Sequence, residues 1–307
     1  MDGLIIVDKP AGLTSHDVVL YLRTLLKIRK IGHAGTLDPL ATGVLLITLG
    51  QATRLFPFLS RMNKTYSGEI KLGMATDTYD SGGKPQGEES LAYPGEEELR
   101  EAVKSFEGQI LQLPPPFSAK KINGQPAFKL ARKGMTPHLK PVKVTIHRFL
   151  ALDYSPPYLK FEVECSSGTY IRTLAHDLGQ KVGCGAHLVQ LRRLAVGWYT
   201  EEEALSLEKI KDLVQKKEFS RIIRPLEYLL PEFPTIWLDE AGSKAFLFGS
   251  KIALNQVLRA SLKPFSPFSP EGKQFFRIFS SEGYLLGLAV FEEENKLFQP
   301  KIVLKSF

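Results

Sequence analysis

The sequence predicts an α+β fold, with a mixed, mostly antiparallel sheet flanked by helices and a small β-rich domain at the C-terminal end. Apolar runs typical of strands alternate with amphipathic helical segments up to about residue 217. A linker marked by Pro225, Pro231 and Pro234 follows, and beyond it only short β-like runs remain. A chain of 307 residues is long for one compact core. We therefore predict two domains, over residues 1–230 and 231–307.

The first elements are predicted from local signals. The apolar residues 5–7 indicate a short buried strand, which ends in a turn at 9–12. Thr14 and Asp17 have the spacing of a helix-capping box, with Asp in place of the usual Glu. Apolar residues at helical spacing follow up to residue 26, and basic residues come next, as is typical of a helix end.

The later elements follow from the same two periodicities. A continuous apolar run or a strict alternation of apolar residues predicts strands at 44–47, 64–72, 142–146 and 159–165. Apolar residues at helical spacing predict helices at 96–106 and 205–217. The C-terminal β-like runs are 275–279, 284–291 and 302–304.

The composition excludes several classes of protein. Hydrophobic residues make up 43% of the chain and charged residues 24%, which argues against wholesale disorder. The acidic start of the chain does not suit a secretory signal, and no apolar stretch is long enough to span a bilayer. Two cysteines, Cys165 and Cys184, suggest neither a disulfide framework nor a four-ligand zinc site. We therefore expect a cytoplasmic protein that uses no metal.

The basic residues are concentrated in one segment. The net charge is +7, and residues 114–148 contain eight basic residues and no acidic one. Prolines and glycines divide this segment, so we interpret residues 114–141 as a mobile insertion. Such a segment suits a surface that lies along a phosphate backbone, although a merely solvated basic loop has the same composition. The eight basic residues are Lys120, Lys121, Lys129, Arg132, Lys133, Lys140, Lys143 and Arg148.

Asp38 is the strongest candidate for chemistry. It lies in the glycine-rich run 32–43, between the apolar residues Leu37 and Leu40. Apolar surroundings penalise a charged carboxylate, so an acid in such a loop has either a chemical role or a cationic partner. An Asp beside Pro and Gly also commonly caps a turn, and from the residues alone this alternative stays open.

Three other residues have the chemistry to act with Asp38. Arg172 follows the strand that ends at Cys165, at a predicted junction of strand and helix, and would keep a desolvated carboxylate ionised. Tyr66 has the right shape to stack on an extruded base. His33 precedes Asp38 by five residues and is a candidate RNA contact. Each also has an ordinary structural interpretation: a surface arginine, a core tyrosine and a loop histidine.

The runs 32–43, 64–66, 168–174 and 183–193 occur in an order and spacing that resemble the TruB-type tRNA pseudouridine-55 synthase family, from Gly3 to about Trp198. This resemblance implies that Asp38 is the essential aspartate, that Tyr66 stacks on the target uracil and that Arg172 forms a salt bridge with Asp38. The tail after Pro231 is similar to the small RNA-binding PUA domain. The stretch 263–270, rich in Pro, Phe and Ser, departs from that pattern.

The resemblance also implies residues that contact RNA or support the site. Lys9 with Pro10 matches a motif that we interpret as supporting the active-site loop. The basic insertion matches the RNA-gripping insertion of the stand-alone bacterial enzymes, which the guide-RNA relatives lack. The residues assigned to substrate and RNA binding are His33, Tyr170, Leu191, Lys9, Lys120, Lys121 and Arg132.

The implied function is that of an isomerase which flips a uridine out of the TΨC loop of tRNA and converts it to pseudouridine. Asp38 would act either as a nucleophile or as the base that removes a ribose proton. We expect no cofactor, a monomer without an obligatory protein partner, and the tRNA T-arm as the partner. The alternatives are a non-catalytic RNA-binding or RNA-folding protein, a pseudouridine synthase acting on another RNA or with a guide RNA, and a nuclease or glycosylase.

Overall fold

The structure is a computed structural model, which describes residues 1–118, 120–122, 124–127, 130, 135, 139–263 and 272–304. The chain forms two compact units, each built from separated segments. Unit 1 consists of Met1–Pro39, Val44–Met62 and Glu202–Phe307, and unit 2 consists of Leu40–Gly43 and Asn63–Glu201.

The described residues form both helices and strands. The helices are α1 (Ser15–Leu26), α2 (Phe56–Leu59), α3 (Glu96–Lys104), α4 (Ile171–Lys181), α5 (Leu207–Gln215) and α6 (Glu240–Leu247). The strands before the helix α4 are β1 (Gly3–Lys9), β2 (Ile31–His33), β3 (Thr42–Leu49), β4 (Lys64–Leu72), β5 (Ala75–Thr76), β6 (Pro85–Gln86), β7 (Gly108–Gln112), β8 (Lys121–Ile122), β9 (Gln125–Pro126), β10 (Val142–Ser155) and β11 (Tyr158–Cys165). The later strands are β12 (Ala186–Val196), β13 (Tyr199–Thr200), β14 (Thr235–Leu238), β15 (Ile252–Ala253), β16 (Val257–Ser261), β17 (Phe275–Phe279), β18 (Leu285–Glu292) and β19 (Leu297–Val303). Over the described ranges, every helix is too short or too polar to cross a membrane.

The N-terminal part of unit 1 follows the local signals of the sequence. The capping box at the start of α1 is confirmed: the Asp17 amide donates to Thr14 Oγ1 at 3.1 Å, and the Thr14 amide donates to Asp17 Oδ2 at 2.8 Å. The helix ends where Lys27 adopts a left-handed conformation with φ 55°. The strand β2 then pairs antiparallel with β3, and His33 lies opposite Ile47.

A six-stranded sheet forms the C-terminal part of unit 1, in the order β15-β19-β18-β17-β14-β16. Its apolar core includes Ile236, Phe246 and Ile278. The predicted β-like runs correspond to β17, β18 and the end of β19, whereas β14, β15, β16 and α6 were not predicted. Arg277 donates to the carbonyl oxygens of Glu227 and Leu229 at 3.3 Å each, so the proline-marked segment is hydrogen-bonded to this sheet. The domain boundary at residue 230 stays a prediction, because the compact units divide the chain differently.

Unit 2 is built on a mixed, mostly antiparallel sheet, as predicted. The strands β12, β4, β11, β10 and β7 are antiparallel neighbours in this order, and the first residues of β3 pair parallel with β12. Gly43 has φ 97°, and a Cβ on it would lie 2.2 Å from the Arg193 carbonyl oxygen. Only glycine therefore suits the start of β3 beside β12.

The basic insertion is described only in part. The short strands β8 and β9 pair antiparallel, and Lys120 Nζ donates to the Lys140 carbonyl oxygen at 3.5 Å. The side chain of Lys121 lies outside the described part, as do Lys129 and Arg132 and residues 264–270 of the Pro/Phe/Ser-rich stretch.

Candidate functional site

The loop that carries Asp38 follows β2, and Asp38 itself lies in the part of the loop that belongs to unit 1. The first residue of α1 holds the N-terminal side of this loop. The hydroxyl oxygen of Ser15 accepts from the Leu37 amide at 2.8 Å and donates to the Leu37 carbonyl oxygen at 3.2 Å. Ser15 and Leu37 are both buried, and Leu37 belongs to the hydrophobic core. The backbone immediately before Asp38 is therefore tied to the start of a capped helix.

A buried lysine holds the other side of the loop. Lys9 is 0% exposed, and its ammonium donates to the carbonyl oxygens of Pro10 at 2.8 Å, Leu13 at 2.7 Å and Pro39 at 3.5 Å. The Gly12 amide donates to the same Pro39 oxygen at 2.8 Å. This geometry fits the support role read from the Lys-Pro motif. The assignment of Lys9 to RNA binding stays a prediction.

Asp38 itself is half-buried between these two anchors. The peptide groups on both sides of it make hydrogen bonds that do not use its carboxylate. A carboxylate on a loop fixed in this way needs little reorganisation when it acts on a substrate. His33, at the end of β2 in the same unit, is also half-buried.

Arg172 lies in the first turn of α4 in unit 2, as the sequence predicted. Its side chain is only 6% exposed, and Nη1 lies 3.4 Å from Asp80 Oδ2. Nη1 also donates to the Thr78 carbonyl oxygen and Nη2 to the Phe117 carbonyl oxygen, each at 3.1 Å. A cation at a helix N-terminus is unfavourable for the helix dipole. The carboxylate and the two carbonyl groups offset that cost and orient the guanidinium plane.

Asp80 is a partner of Arg172 that sequence analysis did not identify. Its Oδ1 accepts from Thr78 Oγ1 at 2.7 Å and from the Gly82 amide at 3.0 Å, so its second oxygen is aimed at Arg172. The surrounding run 77–82 has neither the spacing nor the closing glutamate of a calcium-binding loop. An Asp that caps its own turn carries no sequence signal for a partner far along the chain. The salt bridge between Arg172 and Asp38 stays a prediction.

Tyr66 and Leu191 lie on the same face of the unit 2 sheet. Tyr66 is on β4 and pairs with Arg193 of β12, while Leu191 pairs with Gly68. Directly opposite residues share a face, as do residues two apart, so the ring of Tyr66 and the side chain of Leu191 are diagonal neighbours. Both are almost fully buried, with Tyr66 8% exposed. The pair is suited to form an aromatic and an apolar wall for a flat ring.

Lys64 precedes Tyr66 by two residues on the same face of β4. Burial, together with the nearby charge of Arg193, lowers the pKa of Lys64 to about 7. A lysine with this pKa is only partly protonated at neutral pH, so this face carries less positive charge than its residue types suggest.

Tyr170 immediately precedes α4, and the side chain of a buried glutamine makes two hydrogen bonds with its backbone. Gln112 Nε2 donates to the Tyr170 carbonyl oxygen at 3.0 Å, and the Tyr170 amide donates to Gln112 Oε1 at 2.7 Å. Because Gln112 is fully buried, this double contact locks the backbone two residues before Arg172. Within the described ranges, no three His, Cys, Asp or Glu side chains form a cluster that could hold a metal ion.

The burial of the Asp177 carboxylate, further along α4, can be tested through the pH dependence of stability. Burial raises the pKa of Asp177 to about 6 from a usual value near 3.8. The folded protein then binds more protons than the unfolded chain between these two values, so its stability falls as the pH rises through that window. We expect Asp177→Asn to increase the free energy of unfolding at pH 7.5 by about 1 kcal/mol, after discounting for solvent screening. The gain should disappear as the pH approaches 4.

Thermal unfolding at both pH values measures this effect. Asp212→Asn is the matched control, because the hydrogen bond from Lys216 lowers the pKa of Asp212. That control is not expected to stabilise the protein. An Asp177→Asn protein less stable than the parent at pH 7.5 would contradict the assignment of a burial cost to this carboxylate.

Two sequence profiles match most of the chain. Residues 23–171 match the TruB family pseudouridylate synthase N-terminal domain, and residues 172–231 match the tRNA pseudouridylate synthase B C-terminal domain. The tRNA pseudouridine synthase B of Solibacter usitatus is 39% identical over 99% of this chain and 100% of its own length. The protein of the same name from Aquifex aeolicus is 42% identical over 83% of this chain and 88% of its own.

Solved structures share the fold. A chain in the "Structure of H/ACA RNP bound to a substrate RNA containing 2'-deoxyuridine" superposes with a TM-score of 0.75 and 24% identity, over 99% of this chain and 85% of the other. A chain in the "Crystal Structure of a Cbf5-Nop10-Gar1 Complex" superposes with a TM-score of 0.74 and 26% identity, over 99% and 84%. The similarity covers the full α+β architecture.

Proposed function

The chain belongs to the TruB family of pseudouridylate synthases, and we propose that it isomerises a uridine in the TΨC loop of tRNA to pseudouridine. Relatives named tRNA pseudouridine synthase B align over nearly the whole chain. The observation that carries the catalytic part is the Asp38 loop, whose backbone is anchored immediately before and after the carboxylate by Ser15 and Gly12. We propose Asp38, Tyr66 and Arg172 as the catalytic residues.

The reaction breaks the N1–C1′ bond of the uridine, turns the uracil and joins its C5 to C1′. The proton on C5 is lost and N1 gains one, so the isomerisation balances without an oxidant, a reductant or a second substrate. Asp38 acts either by attacking as a nucleophile or by removing a proton from the ribose. Both routes need an ionised carboxylate and a site that excludes water, since hydrolysis of the intermediate would leave an abasic nucleotide.

The target uridine must leave the RNA stack before it can react. Extruding a base costs a few kcal/mol, which the pocket has to recover. Tyr66 and Leu191 on their common sheet face are suited to hold the uracil between an aromatic and an aliphatic side chain. Tyr66 is also the candidate base or relay for the proton on C5.

The enzyme acts, in this proposal, as a monomer in the cytoplasm and on tRNA alone. The neighbouring solved structures hold other proteins or RNA with the related chain, so this part of the proposal needs its own experiment. Purified protein is incubated with bare tRNA transcript, with and without a cell extract depleted of the enzyme. Equal pseudouridine yields support the stand-alone enzyme. Formation only with extract would favour a guided synthase, and tight tRNA binding without product would favour a binding protein.

The basic insertion is proposed to bind the tRNA backbone, and salt dependence tests it. We expect charge reversal of Lys120, Lys121, Lys129 and Arg132 to glutamate to weaken tRNA binding. The slope of log K against log salt is negative, and its magnitude should decrease by about 3, because each phosphate contact contributes roughly 0.7 to 0.9 to that magnitude. Filter binding between low and moderate salt measures the slope.

Reversal of four lysines that are exposed on or beside α5, Lys209, Lys211, Lys216 and Lys217, is the matched control for net charge. It should leave the slope near that of the parent. If the slope were unchanged in the insertion variant, or if its magnitude decreased equally in the insertion and control variants, the insertion would not be part of the proposed interface.

A further inference from the structure

Residues 77–82 form the Asp80 loop, and three consecutive residues of this loop contact one face of helix α4. Thr78 and Asp80 both bind Arg172, and Tyr79 between them stacks on His176. Arg172 and His176 are four residues apart, so their side chains project from the same face of the helix. We propose that Tyr79 and His176 are positioning residues, whose ring stack holds the Asp80 loop on α4 and thereby fixes the guanidinium of Arg172. This inference rests on the proposed function for its effect on catalysis.

The stack is close and nearly parallel. The centroids of the two rings are 3.9 Å apart, and their planes differ by 14°. Burial lowers the pKa of His176, so the stacked imidazole is neutral at physiological pH. Its Nδ1 is enclosed and makes no hydrogen bond within the described part of the chain. The contact with Tyr79 is therefore a principal restraint on this ring, and the ring in turn restrains the loop.

Tyr79 also has an unusual backbone. Its φ is 65°, in the left-handed region that residues with large side chains avoid. Glycine or asparagine would adopt this conformation more readily. A tyrosine persists there when its surroundings hold it, and the observed restraint on its side chain is the stack on His176.

The backbone of the loop has a second attachment on β12. The Leu188 amide donates to the Tyr79 carbonyl oxygen at 3.0 Å, and the Ser81 amide donates to the Leu188 carbonyl oxygen at 2.9 Å. The backbone thus holds the loop on β12, and the ring stack holds it on α4 at the residue between Thr78 and Asp80. Without the stack, we expect Thr78 and Asp80 to move off the guanidinium together.

The test compares Tyr79→Leu with Tyr79→Phe, which keeps a ring and loses only the hydroxyl. Phe149→Leu is the control for general destabilisation, because Phe149 packs edge-on against Phe161, on strands of the same unit that do not carry the loop. We expect Tyr79→Leu to lower the single-turnover rate about tenfold or more with tRNA affinity unchanged. Tyr79→Phe should stay within about twofold of the parent, as should the rate of Phe149→Leu.

Hydrogen exchange gives a readout that does not depend on activity. The Ser81 and Gly82 amides, which donate to Leu188 and Asp80, should exchange faster in Tyr79→Leu and at the parent rate in Tyr79→Phe. Unchanged exchange in Tyr79→Leu would overturn the proposal, even if the parent protein made no pseudouridine and the proposed function failed. With an active parent, a full rate in Tyr79→Leu, an equal loss in Tyr79→Phe or an equal loss in Phe149→Leu would each overturn it.

Discussion

Asp38→Asn is expected to reduce pseudouridine formation by about 10³-fold or more while tRNA binding stays near that of the parent. The amide has the shape of the carboxylate but can neither attack C1′ nor accept a ribose proton. The anchors from Ser15 and Gly12 bind the neighbouring peptide groups, so the loop should keep its conformation in the variant. Single-turnover assays and equilibrium binding to the same tRNA transcript measure the two effects.

Asp17→Asn is the matched control for the loss of an aspartate in unit 1. It weakens the capping box of α1 and should lower the stability only slightly, because Asp17 is exposed. Its turnover should stay near the parent value at a temperature where the protein is folded. An Asp38→Asn enzyme as active as this control would mean that Asp38 only shapes its turn.

Asp80→Asn is expected to give the second large effect, a loss of about 10²-fold in turnover together with reduced stability. The amide can still accept from Thr78 and Gly82, but the buried guanidinium of Arg172 loses its carboxylate. Breaking a buried pair leaves an uncompensated charge and costs about 3 kcal/mol. Arg172→Lys should show a similar loss of turnover, because an ammonium cannot reproduce the planar set of contacts to Asp80, Thr78 and Phe117.

The exposed ion pair of Asp153 and Lys160 provides the comparison for Asp80. It lies in the same unit at 3.1 Å, and more than half of each side chain is exposed. Asp153→Asn should change neither turnover nor the unfolding temperature measurably, because exposed pairs contribute little. Turnover of Asp80→Asn equal to that of Asp153→Asn would show that the pair with Arg172 serves stability alone.

Local patterns in the sequence predicted the parts of the fold that local forces determine. The strands β4 and β17 have the predicted bounds, and the capping box at Thr14 and Asp17 is present. Each depends on residues within a few positions of one another, through alternation or a side chain that reaches its own backbone. The predicted helix at 96–106 is shorter, because α3 ends at Lys104 and Phe106 lies beyond it.

The parts that were missed depend on partners far apart in the chain. The strand β12 carries Leu191 and pairs along the whole of β4, but its basic and apolar residues do not alternate regularly, and two register shifts interrupt the pairing. Arg172 was found as a candidate from its motif. The contact of Arg172 with the Asp80 loop was not predicted, because Thr78 and Arg172 are 94 positions apart in the chain. The Lys-Pro motif predicted that Lys9 supports the active-site loop. The three carbonyl groups that Lys9 contacts were found only in the structure.

The measurement that tests the central claim most directly is pseudouridine mapping at single-nucleotide resolution. Purified protein is incubated with an unmodified tRNA transcript and no other component, and the Asp38→Asn protein is treated in parallel. The account predicts pseudouridine at the uridine of the TΨC loop with the parent protein and none with the variant. Modification elsewhere, or product with Asp38→Asn at the parent rate, would contradict it.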